Sequence, residues 1–382
     1  MKLALTEQEA RLRDEVQAFL VEQASAWSEV PRSLDERMAY LRAWQAKCYL
    51  AGYVGRTWPE DCGGGGRPPA EQIIVDQEMA KAGAPERVSI VGLDVLGPAI
   101  LSYGNDEQRQ RFVRPILSGE ELWCQGFSEP DAGSDLASLR TLAVETEDGF
   151  IVNGQKTWTS WGQYASWCGV LARTEPDAPK HKGISMLIVD MDSPGVEIRP
   201  MTQITGHAEF AEMFLTDVFV PKDRLLGGRG QGWVIAMHVV SHERGTAALP
   251  RQAMLRTWLD TLVADARATS GPAGSLVDED TTLRSLARSL VEIEVLRHHA
   301  TRTMAPFLNG EKVGPESSGV KLLMAQAEQT LGVAALEVLG DSNLSDVWRE
   351  RYLYSRAASV YGGTQQIQRE IIADHLLRLP KE

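Results

Sequence analysis

The sequence has few cysteines, no excess of positive charge and no long apolar run, and each shortage removes a class of protein. Cys48, Cys62, Cys124 and Cys168 are the only cysteines in 382 residues. None shares a CxxC or other metal-binding spacing, so no metal site and no disulfide framework is expected, and the thiols suit a reducing, cytoplasmic setting. The net charge of −13 argues against non-specific nucleic-acid binding, which needs a basic face. No stretch approaches the length of a membrane span, and the start, MKLALTEQEARLRDEV, lacks a signal-peptide layout. GxGxxG, Walker A, GxSxG and HExxH are also missing. A redox cofactor, if used, is therefore not held in the usual dinucleotide fold.

What is present is an ordinary globular composition, 43% hydrophobic and 24% charged, in a chain too long for one core. Residues 1–121 read as an α-helical domain. Thr6 with Glu9 fits a capping box, and Leu12, Val16, Phe19 and Leu20 follow at helical spacing. Glu71–Ala82 and Asp106–Leu117 are further helix candidates, whereas the run Gly63–Gly66 reads as a plain loop. Residues 122–228 read as a β domain, a small sandwich or barrel. Strands are expected at Ile184–Val189, Val196–Pro200 and Glu212–Val220, and a hairpin is expected to turn at Asn153-Gly154. Residues 229–382 return to helix, with apolar stripes at Leu283, Leu286, Leu290, Ile293 and Leu296 and at Val320, Leu323, Met324, Ala327 and Leu331. The expected class is α+β: helical domain, β domain, C-terminal helical bundle. Strands do not alternate with helices, which disfavours Rossmann and TIM-barrel folds.

Three segments carry candidate chemistry. Trp123–Asp135 reads WCQGFSEPDAGSD, a loop of small polar residues that can present N–H groups and hydroxyls to a polyanion; its plainer reading is a connecting turn. Asn153–Trp161 reads NGQKTWTSW. Strand alternation puts Trp158 and Ser160 on one face and Thr159 on the other. An aromatic beside a hydroxyl suits a flat heterocycle, although a tryptophan here also suits a sandwich core. Val360–Glu370 reads VYGGTQQIQRE, where two glycines before a helix start allow close approach by a ligand carbonyl or phosphate, or form a C-cap followed by an N-cap.

Together, in this order, these segments and TWPEDCGGGG resemble the acyl-CoA dehydrogenase family over essentially the whole chain. The resemblance implies a helical domain, a β domain and a four-helix bundle, with FAD between the last two. It implies that Gln125, Phe127 and Ser128 line the flavin and that Ser134 lies near phosphates of FAD or CoA. Trp158, Thr159 and Ser160 would pack against the isoalloxazine, and Thr364 and Gln366 would reach FAD from the last helix. Gly340 stands where the family has a double glycine near a neighbouring subunit's FAD, with Asp341 in place of the second. Arg267 falls where an arginine meets FAD across a dimer, but RATSG replaces the usual Phe-Gly after it.

The implied reaction removes an α proton from an acyl thioester as hydride leaves the β carbon, and it needs a general base. Many members supply it as the Glu of Tyr-Glu-Gly-Thr. Here Tyr361-Gly362-Gly363-Thr364 holds no carboxylate. Ser241-His242-Glu243-Arg244 resembles the long-chain and isovaleryl-CoA branches, which place the base before an arginine on the first bundle helix. Glu243 would then be the base, the N–H of Gly362 a donor to the thioester oxygen, and Arg244, Gly363 and Ser134 substrate contacts. His238 and His242 share an i, i+4 metal spacing, but Glu243 points away from them and no third ligand is near in sequence. The implied partners are an acyl-CoA or other acyl thioester, an electron-transfer flavoprotein, and further subunits in a homotetramer or heterotetramer. The alternatives are a non-catalytic partner subunit and an oxidase that passes electrons to oxygen.

Overall fold

The computed structural model describes residues 5–25, 27, 30–246, 248–271, 274–308 and 314–380, with the backbone alone at 240–246 and 307–308. The chain opens with five helices: α1 (Glu7–Ala24), α2 (Leu34–Leu50), α3 (Pro69–Lys81), α4 (Gly97–Tyr103) and α5 (Asp106–Ser118). The α1 capping box forms: Thr6 Oγ1 accepts from the Glu9 N–H at 3.2 Å, and Glu9 Oε2 accepts from the Thr6 N–H at 2.6 Å. Asn105 and Gln108 reciprocate in the same way at α5. That helix ends where Gly119 turns left-handed, at φ 76°.

Eight strands follow: β1 (Trp123–Gly126), β2 (Leu142–Glu145), β3 (Gly149–Ser160), β4 (Trp167–Arg173), β5 (Ile184–Asp190), β6 (Val196–Met201), β7 (Phe210–Pro221) and β8 (Leu225–Leu226). Their order across the sheet is β6-β7-β3-β2-β4-β5-β8, with β1 running parallel to β4 beside it. The rest is helical apart from a short antiparallel pair, Ser270–Gly271 with Gly274–Ser275: α6 (Gly232–Thr246), α7 (Ala248–Ala268), α8 (Asp280–Leu308), α9 (Ser317–Asn343), α10 (Asp346–Ser355) and α11 (Gln365–Ile371). The order helical, β, helical is the expected one.

Contacts gather the chain into two units. One holds residues 29–67 and 86–243, hence α2, α4, α5, the sheet and most of α6. Its sheet core includes Cys124, Val152, Val170, Leu187, Val189, Met213 and Val218. The other holds residues 1–28, 68–85 and 244–382, hence α1, α3 and the last helices. Leu255, Leu262, Ile293, Leu296, Leu331 and Trp348 form its core. All four cysteines are buried and free.

Two expectations are corrected. Asn153-Gly154 makes no hairpin turn, because β3 runs straight through it. The turn between β2 and β3 lies at 146–148 instead. Asn153 is occupied across the sheet: its Nδ2 donates to Asp217 Oδ1 at 3.0 Å and its Oδ1 accepts from the Asp217 N–H at 2.9 Å. These bonds brace a shift in the β3–β7 register. On α8, Leu286, Ile293 and Leu296 are buried, but Leu283 and Leu290 face outward at 50% and 36% exposure. The buried stripe is thus narrower than the apolar one.

Candidate active site

The sheet-bearing unit brings two of the three sequence segments together. β1 delivers Gln125, and the chain leaves it through buried Phe127 and half-buried Ser128. The Thr157 N–H donates to the Ser128 carbonyl at 3.0 Å, tying this exit to the far end of β3. One residue back, the fully buried Lys156 donates from Nζ to the Phe127 carbonyl at 3.2 Å and to Glu129 Oε1 at 2.8 Å. Glu129 also accepts from the N–H groups of Arg140, at 2.6 Å, and Thr141, at 2.8 Å. Burial pushes the Lys156 ammonium down to about 8 against the pull of Glu129. Burial would raise the Glu129 carboxyl, but the charge and hydrogen bonds of Lys156, helped by Thr141 and Arg140, hold it below its ordinary value. Burial thus prevails on one partner and attraction on the other. The Glu129 oxygens accept three N–H groups, which favours the charged carboxylate. Sequence reasoning quoted both residues inside their motifs and gave neither a role. The available signal was two charges among small and aromatic neighbours, which must pair if they are buried.

Beyond Lys156 the strand breaks its rhythm. The β3–β7 register shifts between Lys156 and Thr159, and both residues are buried although a regular strand would put them on opposite faces. Inside this bulge Trp158 takes φ 58°, a left-handed conformation that a bulky residue rarely adopts. Its ring is 56% exposed and meets Phe210 edge-on at 5.9 Å. It is therefore not the core tryptophan that composition alone would suggest. Thr159 is wholly buried with Oγ1 lacking a hydrogen-bond partner, and Ser160 is half-buried. Gln125, Ser128, Ser134 and Ser160 make no side-chain hydrogen bond to the described residues. Ser134 is exposed, out along the loop beyond the Glu129–Ala132 bridge. An outward aromatic ring with partnerless hydroxyls and an amide fits a flat, hydrogen-bonding heterocycle with a phosphate tail, and so fits FAD.

The third segment lies in the other unit. Gly362 and Gly363 both take left-handed backbone, at φ 64° and 93°, which suits glycine and strains other residues. Buried Gln368 donates to both their carbonyls at 3.2 Å. Thr364 caps α11, accepting from the Ile367 N–H at 3.3 Å, while Gln366 is exposed. Buried Lys321 of α9 donates to the Ala358 carbonyl at 3.0 Å and lies 3.9 Å from the centre of the Tyr361 ring. A Cβ added at Gly362 would meet Lys321 Cε at 3.6 Å. Gln368 and Lys321 escaped the sequence reading, because a long polar side chain beneath a turn has no local pattern. Gly340 kinks α9 at φ 63° with open space around it, and Arg267 is exposed in the last turn of α7. No described contact joins these two residues. Glu243 and Arg244 lie on α6, but their side chains fall outside the described residues, as does that of His242. His238 meets Ser102 Oγ at 3.3 Å and stands edge-on to Tyr103 at 5.4 Å.

A helix–sheet–helix chain with this flavin-compatible sheet end is built as a dehydrogenase of the FAD-dependent kind. The chain matches the acyl-CoA dehydrogenase N-terminal domain over residues 6–120, the middle domain over 124–218 and the C-terminal domain over 230–377. It belongs to the acyl-CoA dehydrogenase family, whose members are FAD-dependent flavoproteins that dehydrogenate acyl-CoA thioesters and typically assemble into oligomers. It is 40% identical over 348 residues to acyl-CoA dehydrogenase IpdE1 of Mycobacterium tuberculosis, covering 89% of this chain and 88% of that one. With human mitochondrial short-chain specific acyl-CoA dehydrogenase it shares 31% identity over 339 residues, 86% of this chain and 80% of that one. It also resembles a chain of the ChsE4-ChsE5 complex from M. tuberculosis, at TM-score 0.86 and 29% identity with both chains fully covered. Among the described residues no helix is long and apolar enough to cross a membrane.

Proposed function

We propose that the protein converts an acyl-CoA to its trans-2-enoyl-CoA with Glu243 as general base. FAD, when bound, supplies the acceptor for the hydride that leaves the β carbon. Glu243 takes the α proton, and the electron pair of the broken C–H bond develops charge on the thioester oxygen, to which the Gly362 N–H donates. Trp158 walls one side of the flavin, Ser160 offers it a hydroxyl, and Gln125, Phe127, Ser128 and Thr159 complete that side. Ser134 meets a phosphate. Thr364 and Gln366 approach FAD from α11, and Arg267 and Gly340 approach the FAD of a neighbouring subunit. Arg244 and Gly363 face the substrate.

What carries this reading is Trp158: a bulky ring held outward in a strained bulge beside hydroxyls that have no partner. Strain of this kind persists where function requires it. An anaerobic screen of acyl thioesters for bleaching of the flavin tests the reaction. Bleaching by an acyl-CoA is expected; a flavin-loaded protein that no thioester bleaches would sink it. The same screen repeated in air, and with an electron-transfer flavoprotein, separates a dehydrogenase from an oxidase. A dehydrogenase passes electrons to the flavoprotein and makes little peroxide.

A cytoplasmic homotetramer is the assembly proposed, to be measured by light scattering; a stable, active monomer would contradict it. The likeness to a chain of the ChsE4-ChsE5 complex supports a second reading, in which a related chain completes the assembly. A chain expressed alone that takes up no FAD until a related chain is supplied would favour that reading.

A further inference from the structure

We propose that the buried Glu129–Lys156 pair is a positioning device that holds the flavin-lining segment in register with the Trp158 bulge. The proposal rests on the flavin-site reading above and gives it a mechanical basis. Phe127, Ser128 and Glu129 are three consecutive residues. The first offers its carbonyl to Lys156, the second its carbonyl to Thr157, and the third its carboxylate to Lys156. Two neighbouring residues of β3 therefore grip three neighbouring residues of the β1 exit, immediately before the bulge. The same carboxylate then reaches across the loop to the N–H groups of Arg140 and Thr141, at 2.6 and 2.8 Å. One glutamate thus closes both ends of the loop that carries Ser134.

Stability alone does not account for such a pair. Burying two charges is expensive, and replacing a buried ion pair by apolar side chains is often neutral or stabilising. An apolar pair here could fill the same space. It could not supply an ammonium to the Phe127 carbonyl or a carboxylate to two loop N–H groups. What the charges add is a fixed offset between two segments joined only by folding, since the partners are 27 residues apart in the chain. Neither residue is a flavin contact in this account. They act through Phe127, Ser128 and Trp158.

The test compares the wild-type holoenzyme with Lys156→Met and with the double variant Glu129→Gln/Lys156→Met. The single variant leaves a buried carboxylate without its counter-ion and is expected to fold poorly. The double variant removes both charges at nearly constant volume. It is expected to melt within about 2 °C of wild type. Release of FAD on serial dilution, followed by the rise in flavin fluorescence, gives the Kd. The double variant should lose FAD at roughly tenfold higher protein concentration or more, a difference of about 1.4 kcal/mol. Its bound flavin should show a blurred absorption band where the wild type has resolved shoulders. A merely structural pair would move the melting temperature without moving the Kd of the folded protein. A folded double variant that retains FAD as tightly as wild type overturns the proposal. So does a double variant that cannot be obtained folded, because the pair would then be a folding requirement. Wild-type protein that binds no FAD at all would instead refute the flavin-site reading itself.

Discussion

Replacing Trp158 by glycine should separate the stability of the protein from its hold on FAD. At φ 58° the tryptophan backbone is left-handed, which costs roughly 1–2 kcal/mol in any residue with a Cβ. Glycine removes that strain but adds about 0.5–1 kcal/mol of chain entropy to be lost on folding. The substitution also removes the edge contact with Phe210 at 5.9 Å, a pairing worth about 0.5–1.5 kcal/mol. The residue is 56% exposed, so a little under half of its surface, about 100 Å² and roughly 2.5 kcal/mol, is lost with it. The sum is a loss of about 2–3 kcal/mol, a shift of about 3–4 °C in melting temperature for a chain of 382 residues. For bound FAD the balance is one-sided. Losing one stacked wall removes about 1–1.5 kcal/mol, roughly a tenfold weaker Kd. Dilution of the holoenzyme reads the Kd, and calorimetry of the FAD-free protein reads the stability. Trp158→Phe should retain most of the affinity. The reasoning is refuted if Trp158→Gly holds FAD as tightly as wild type.

Glu243→Gln should lower turnover by about 10²–10⁴-fold while leaving FAD content intact; wild-type bleaching kinetics with substrate would move the base elsewhere. Gly362→Ala should cost about 1–2 kcal/mol through its left-handed backbone, measured by denaturant titration. It should cost no more than that, since the nearest side-chain atom to the added Cβ is 3.6 Å away. Gly362→Glu on the Glu243→Gln background should restore part of the activity, with the new carboxylate beside Lys321; no gain in turnover counts against that placement. The Glu129 carboxyl is held below its ordinary value of 4.5, so the folded state binds fewer protons than the unfolded one there. Its contribution is present above that pH and is lost as the pH falls through the lower folded value. Melting temperatures taken on acidification should therefore fall more steeply for wild type than for Glu129→Gln/Lys156→Met.

Much of the fold was legible because its signals are local. The capping box at Thr6 and Glu9 and the β-rich middle of the chain each depend on residues within a few positions of one another. The errors came where distant residues decide the outcome. Asn153-Gly154 has the composition of a tight turn, but Asp217 on the neighbouring strand claims the asparagine, and the strand continues. Leu283 and Leu290 have the right spacing for the core, yet they are only partly covered. The alternation that puts Trp158 and Ser160 opposite Thr159 could be read directly. That the ring would be turned outward could not, because the direction is set by a bulge against β7. Gln368 beneath the paired glycines and Lys321 beside Tyr361 were invisible for the same reason, and of Lys156 and Glu129 the charges could be read but not their pairing. Each grips backbone that only the folded chain brings within reach.

The division of the helices has a consequence for the order in which the protein can be completed during synthesis. The unit that contains the sheet is finished in sequence by Glu243. The other unit cannot be. Gln8 and Gln17 of α1 donate to Glu71 and Glu78 of α3, and Thr257 of α7 donates to the Ala80 carbonyl at the end of α3. α1 and α3 are therefore made early and wait for partners encoded after residue 243. At about 5–20 residues per second, the ribosome leaves α3 without α7 for many seconds. During that interval Ile73 of α3, which packs against the core of the last helices, has none of them to meet.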